Sequence, residues 1–147
     1  MRPVNEIIIH CTATRPGWWK DKTAAEKTAE LKRWHTDPKS EGGRGWRDIG
    51  YHYTIDRDGT ITKGRSMEQD GAHTKGRNKN TCGIALFGGF GSTSDDRFSD
   101  NFTPEQMASL QQLIVDLKNT YPINKVSGHN QWAPKACPGF RTSNYFK

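Results

Sequence analysis

The chain reads as an α/β domain, a small mixed central β-sheet flanked by helices. Three observations predict it: β-branched or aromatic runs at 6–11, 51–55 and 82–87, helical periodicity at 23–36 and again from 103, and a hairpin signal between two short strands. The 147 residues suit a single domain, residues 1–147, around one hydrophobic core.

Glu6-Ile7-Ile8-Ile9-His10-Cys11 is a β-branched run of the kind found in strands buried on both faces. Residues 23–36 interleave Ala24, Leu31 and Trp34 with Lys and Glu, a helical pattern, and Gly42 to Gly45 forms a loop. Tyr51-His52-Tyr53-Thr54-Ile55 and Thr60-Ile61-Thr62 flank Asp58-Gly59. That dipeptide predicts a two-residue hairpin turn, which needs positive φ at both central positions. Cys82 to Phe87 is another strand, stopped by Gly88-Gly89. Thr103 can cap a helix, Pro104 suits its first turn, and Gln106 stands where a capping box requires it. Met107, Leu110, Ile114, Leu117 and Tyr121 then form an apolar stripe that Pro122 ends. Val126-Ser127-Gly128-His129 reads as a short final strand or turn.

Composition narrows the function. Hydrophobic residues make up 32% and charged residues 26%, yet five Trp and six Phe supply anchors enough to fold without disulfides. No run of roughly 18 apolar residues could span a membrane, and the isoleucine stretch is too short for a signal-peptide core. The chain is therefore expected to be made in the cytoplasm. Its three cysteines, Cys11, Cys82 and Cys137, are an odd set, which points to buried thiols or a metal ligand. The net charge of +6 favours an anionic partner. The basic residues are scattered and no nucleic-acid module is recognisable, which argues against nucleic acid.

His10, at the end of the first strand, reads by itself as a partly buried strand histidine. His129 and Cys137 stand eight residues apart, which is not a zinc-finger spacing, so spacing alone does not establish a metal. The chemical set says more. Two imidazoles and a thiolate are the three protein ligands of a catalytic zinc, which leaves a fourth position open. Cys11 follows His10 and by strand alternation points to the opposite face.

Several stretches carry a resemblance: Ile9-His10-Cys11-Thr12-Ala13-Thr14, Arg33-Trp34-His35, Gly45-Trp46-Arg47-Asp48-Ile49-Gly50-Tyr51-His52-Tyr53, Arg57-Asp58-Gly59-Thr60, Gly71-Ala72-His73, Cys82-Gly83-Ile84-Ala85-Leu86, Gly128-His129-Asn130 and Ala133-Pro134-Lys135-Ala136-Cys137-Pro138-Gly139-Phe140. In this order they resemble the N-acetylmuramoyl-L-alanine amidases, which include phage amidase-type lysozymes and animal peptidoglycan-recognition proteins. The resemblance covers nearly the whole chain. It implies hydrolysis of the bond between N-acetylmuramic acid and L-alanine in bacterial peptidoglycan. It also implies one Zn²⁺ held by His10, His129 and Cys137, with Tyr51 and Lys135 as catalytic helpers and His73 along the substrate groove.

For His35 and His52 a structural role is the better reading. Trp18 and Trp19 could flank a groove or fill a core, and Trp46 reads as core or interface. The polar stretches Trp18 to Thr23 and Pro38 to Arg44 read as enlarged loops. The resemblance further implies a monomeric endolysin made in the host bacterial cytoplasm that needs a separate lysis or export factor to reach the wall. A non-catalytic peptidoglycan binder and a regulator of phage RNA polymerase are the alternatives. Binding-only relatives lack the cysteine ligand, whereas Cys137 is present, and only nine residues precede His10, near the polymerase-contacting region of such relatives.

Overall fold

The computed structural model describes residues 1–146. Its sheet has five strands: β1 (Glu6–Cys11), β2 (Tyr53–Ile55), β3 (Ile61–Lys63), β4 (Thr81–Leu86) and β5 (Lys125–Gly128). They lie in the order β3-β2-β4-β1-β5. β1 pairs in parallel with both β4 and β5, β2 is parallel to β4, and only β2–β3 is antiparallel. The isoleucine run thus becomes an inner strand, and Ile7, Ile8 and Ile9 are fully buried. Each such burial contributes about 1.5–3 kcal/mol.

Alternation along β1 divides the molecule. Ile7, Ile9 and Cys11 join Cys82, Ile84 and Leu86 in the main core, closed by Leu110, Ile114 and Leu117 from helix α3 (Pro104–Thr120). A short helix α2 (Phe98–Asn101), with no periodic signal in the sequence, adds Phe98 to that core. α3 starts with the expected capping box of Thr103 and Gln106, and the helix stops before Pro122. Gln106 does more than cap. It is completely buried, and its Nε2 donates to the carbonyls of Ile55 (3.1 Å) and Phe87 (2.9 Å), tying the helix start to the ends of β2 and β4.

Helix α1 (Ala24–Thr36) is capped by Thr23 and Glu26 and buries Ala24, Lys27, Thr28, Leu31 and His35, one face at helical spacing. Trp34 falls off that face and is 39% exposed. Thr28 Oγ1 lies 2.8 Å from Thr54 Oγ1 on β2. Lys27 Nζ donates to Asp56 Oδ1 at 2.9 Å in a pair whose side chains are each only 6% exposed. Trp18 packs on a smaller cluster of Leu31, Ile49 and Phe87, and its indole stacks on Trp19 at 5.1 Å. Trp46 is half-buried against His35.

The β2–β3 connection differs from the expected two-residue turn. The last ladder pair is Ile55–Ile61, Asp56 N–H donates to Thr60 O, and Gly59 N–H donates to Asp56 O. Of the two residues only Gly59 has positive φ, at 90°. The turn therefore begins at Asp56 and ends in a left-handed glycine, and Asp56 is freed to hold Lys27.

Candidate metal centre and active site

The parallel register assembles the site. Ile9 stands opposite Gly128, so the next residues, His10 and His129, meet at the carboxyl ends of β1 and β5. Their ring centroids lie 4.7 Å apart. The chain then makes a 3-10 turn at His129–Gln131 and returns through Pro134 to Cys137, whose Sγ reaches 3.8 Å from His10 Nδ1. One donor atom from each of His10, His129 and Cys137 lies within 4.8 Å of the others. Zinc bonds of about 2.0 Å to nitrogen and 2.3 Å to sulfur at tetrahedral angles imply donor separations of about 3.5 Å. The residues present fit such an ion.

The loop that carries two of the three donors is clamped. Trp132 lies under the guanidinium of Arg77 (3.5 Å to the ring centroid) and the ammonium of Lys125 (4.4 Å), and its Nε1 donates to Ser127 Oγ at 2.9 Å. Ser127 in turn donates to Glu6, which accepts a 2.8 Å bond from Arg77. Asn130 Nδ2 donates to the carbonyls of Ala136 and Phe140, closing the loop on itself. Sequence reasoning missed this clamp, because Glu6, Arg77, Ser127 and Trp132 share no spacing that could signal it.

Electrostatics suit a cation. Burial, reinforced by His73, His129 and Lys135, holds the His10 imidazole well below its ordinary pKa, and burial with Lys135 lowers that of His129. Both rings therefore keep a lone pair free at neutral pH. A hydrogen bond shared with the Cys11 side chain, and then burial, push the Cys137 thiol upward, while the Cys11 backbone N–H acts the other way and offsets only part of it. A divalent cation reverses that preference, because a coordinated thiol gives up its proton. Cys11 lies outside the donor cluster, and Cys82 is fully buried with its thiol pushed up to about 12 by that burial, which makes it inert.

Tyr51 precedes β2 and sets its ring 5.1 Å from His10 and 5.6 Å from His35. Burial raises its phenol pKa, so the hydroxyl stays protonated and available as a donor. Lys135 lies in the same loop as Cys137 and is exposed at the edge of a cavity of about 480 Å³ lined by Ser92, Thr93, Asn130 and Arg141 among others.

His73 is only 8% exposed, and its Nδ1 lies 2.9 Å from His10 Nε2. His35 and His52 are structural. His35 Nδ1 accepts from Gly50 N–H (2.9 Å) and His52 Nδ1 from Gly83 N–H (3.1 Å), while His52 Nε2 meets Gln69 O at 2.8 Å.

Known proteins resemble this chain in sequence and in fold. A family model described as N-acetylmuramoyl-L-alanine amidase matches residues 1–140. The endolysin of Escherichia phage T7 is 38% identical over 96% of this chain and 84% of its own length. The structure of the N-acetylmuramoyl-L-alanine amidase LysC from Clostridium intestinale superposes with a TM-score of 0.70 at 30% identity, covering 97% of this chain and 83% of that one. Bumblebee PGRP-SA superposes with a TM-score of 0.76 at 26% identity, over 97% and 81% of the two chains. With the family model spanning nearly all of the described fold, and relatives alike in both sequence and structure, the chain belongs to the N-acetylmuramoyl-L-alanine amidase family.

Proposed function

We propose that this amidase works as a zinc-dependent endolysin of the phage type, cleaving the amide between N-acetylmuramic acid and the first L-alanine of the peptidoglycan stem. The observation that carries the reading is the convergence of His10, His129 and Cys137 donors within 4.8 Å, with Tyr51 beside them. A zinc ion held there would supply Lewis-acid chemistry that activates water near neutral pH.

The residues of the chain do the rest. His10, His129 and Cys137 would hold the ion at the carboxyl ends of β1 and β5, and the Trp132 clamp keeps the loop from opening. Lys135 contributes fixed positive charge where the scissile carbonyl oxygen gathers negative charge, a role worth more in a partly dry site than in water. Tyr51, kept protonated by burial, donates a hydrogen bond to the same reacting centre. A basic protein is drawn to the anionic bacterial envelope. Among the described residues no helix is long and apolar enough to cross a membrane. In this reading a separate factor delivers the enzyme from the host cytoplasm to the wall.

The test is incubation of zinc-loaded protein with purified peptidoglycan, with and without a chelator, and assay of new L-alanine amino termini. Release that the chelator abolishes and zinc restores is the expected result. No release by the loaded protein would falsify the proposal.

A further inference from the structure

The His10 ring offers Nδ1 toward Cys137 and turns Nε2 away from the cluster, toward His73 Nδ1 (2.9 Å) and Thr74 Oγ1 (3.2 Å). A neutral imidazole carries one N–H, so a lone pair at Nδ1 requires the proton on Nε2. The neighbouring groups decide whether that proton has somewhere to go.

They can be read outward from a fixed end. Thr81 Oγ1 lies 2.7 Å from the carbonyl oxygen of Arg77, which can only accept, so the Thr81 hydroxyl donates there. Its oxygen is then free to accept from His73 Nε2, 3.3 Å away. His73 thus carries its proton on Nε2 and leaves Nδ1 as an acceptor that faces both His10 Nε2 and Thr74 Oγ1, each 2.9 Å away.

The ring is also seated. The backbone amides of His73 and Thr74 both donate to Asn78 Oδ1 at 2.9 Å. A Cβ on Gly83 would stand 2.6 Å from His73 Cγ and Cδ2, and one on Gly71 would stand 2.5 Å from His73 Cδ2. No real Cβ approaches so closely, so two glycines leave a slot that the imidazole fills.

We propose that His73 is a positioning residue. It accepts the Nε2 proton of His10 and thereby fixes that ligand in the tautomer and orientation that present Nδ1 to the cation. The proposal deepens the metal reading given above and rests on it. It moves His73 from contact with substrate to support of a ligand.

The test uses the full chain as wild type, His73→Leu and His73→Gln. Zinc affinity is measured by competition with a chromophoric chelator, the visible spectrum is recorded after Co²⁺ substitution, and KM for soluble muropeptide is determined. His73→Leu removes the acceptor and should weaken zinc binding by about 10- to 100-fold, with an altered Co²⁺ spectrum. His73→Gln restores an acceptor oxygen and should recover most of the affinity. A folded His73→Leu that binds zinc as tightly as wild type overturns the proposal, as does a raised KM with unchanged zinc affinity, which would mark a substrate contact. If circular dichroism shows that His73→Leu does not fold, Thr81→Val replaces it, since it strips the outer acceptor and leaves the ring. Weaker zinc binding then supports the proposal, and unchanged affinity and spectrum overturn it. A wild-type protein that binds no zinc sinks the metal reading and this proposal together, whereas indifferent variants of a zinc-binding protein sink this one alone.

Discussion

The backbone N–H of Cys11 donates to Cys137 Sγ at 3.2 Å. This bond joins the residue after one proposed ligand to the sulfur of another, and it comes from an inner strand of the sheet. A donor aimed at sulfur favours the thiolate over the thiol. The strand therefore helps prepare the sulfur for a cation while its own Cys11 side chain stays in the core.

Removing that sulfur should cost more than any outer-shell change. Cys137→Ser is expected to lose stoichiometric zinc on gel filtration. Its peptidoglycan hydrolysis should fall by more than the about 10- to 100-fold typical of substitutions at residues that hydrogen-bond a metal ligand. Elemental analysis beside an amino-terminus assay checks both. Full zinc content in this variant would remove Cys137 from the ligand set.

Lys135→Ala tests the second role at the site. If the ammonium acts only as negative charge develops, kcat should drop by about 10²–10³-fold with little change in KM or zinc content. A rise in KM alone would place Lys135 in substrate binding.

Breaking the Lys27–Asp56 pair addresses stability. Lys27→Met strands a carboxylate that is almost fully buried, and such a loss costs about 3–5 kcal/mol. Urea denaturation should show it as a lower midpoint with an unchanged slope. Adding Asp56→Leu should return part of the loss, because the uncompensated charge goes with it.

Acid should destabilise the fold through His52. Burial lowers its pKa from 6.5 to about 4, so between those values the unfolded chain binds a proton that the native state refuses. Stability is then fully present above pH 6.5 and falls as the pH drops toward about 4. His35, shifted to about 4 by burial, acts in the same direction. Denaturation midpoints of the metal-free protein across this range measure the effect. A flat profile would mean that neither ring is desolvated.

Much of the fold was legible because it rests on local signals. The isoleucine run, the Thr103 capping box and the stripe through Leu110, Ile114 and Leu117 all state their structure within a few residues. The hairpin was only half legible. Asp58-Gly59 marks a turn, but the buried demand of Lys27 for Asp56 decides where that turn begins. At the site, residue types and resemblance picked out His10, His129 and Cys137, and the register of β1 with β5 brings their donors together. The surroundings of His73 were not legible. Thr81 and Asn78 matter only because the fold sets them against one ring, and that is a tertiary fact with no spacing to report it.

His10 and Cys137 also meet at one point. They stand 127 positions apart, and an ion shared between them would fasten the first strand to the loop after the last one. A disulfide across that span would be a permanent staple. This fastener opens whenever the chain unfolds, so its strength follows mass action, about 1.4 kcal/mol for each tenfold rise of free zinc above the dissociation constant. With such an ion, the durability of the enzyme would be set partly by the mineral content of the fluid around it.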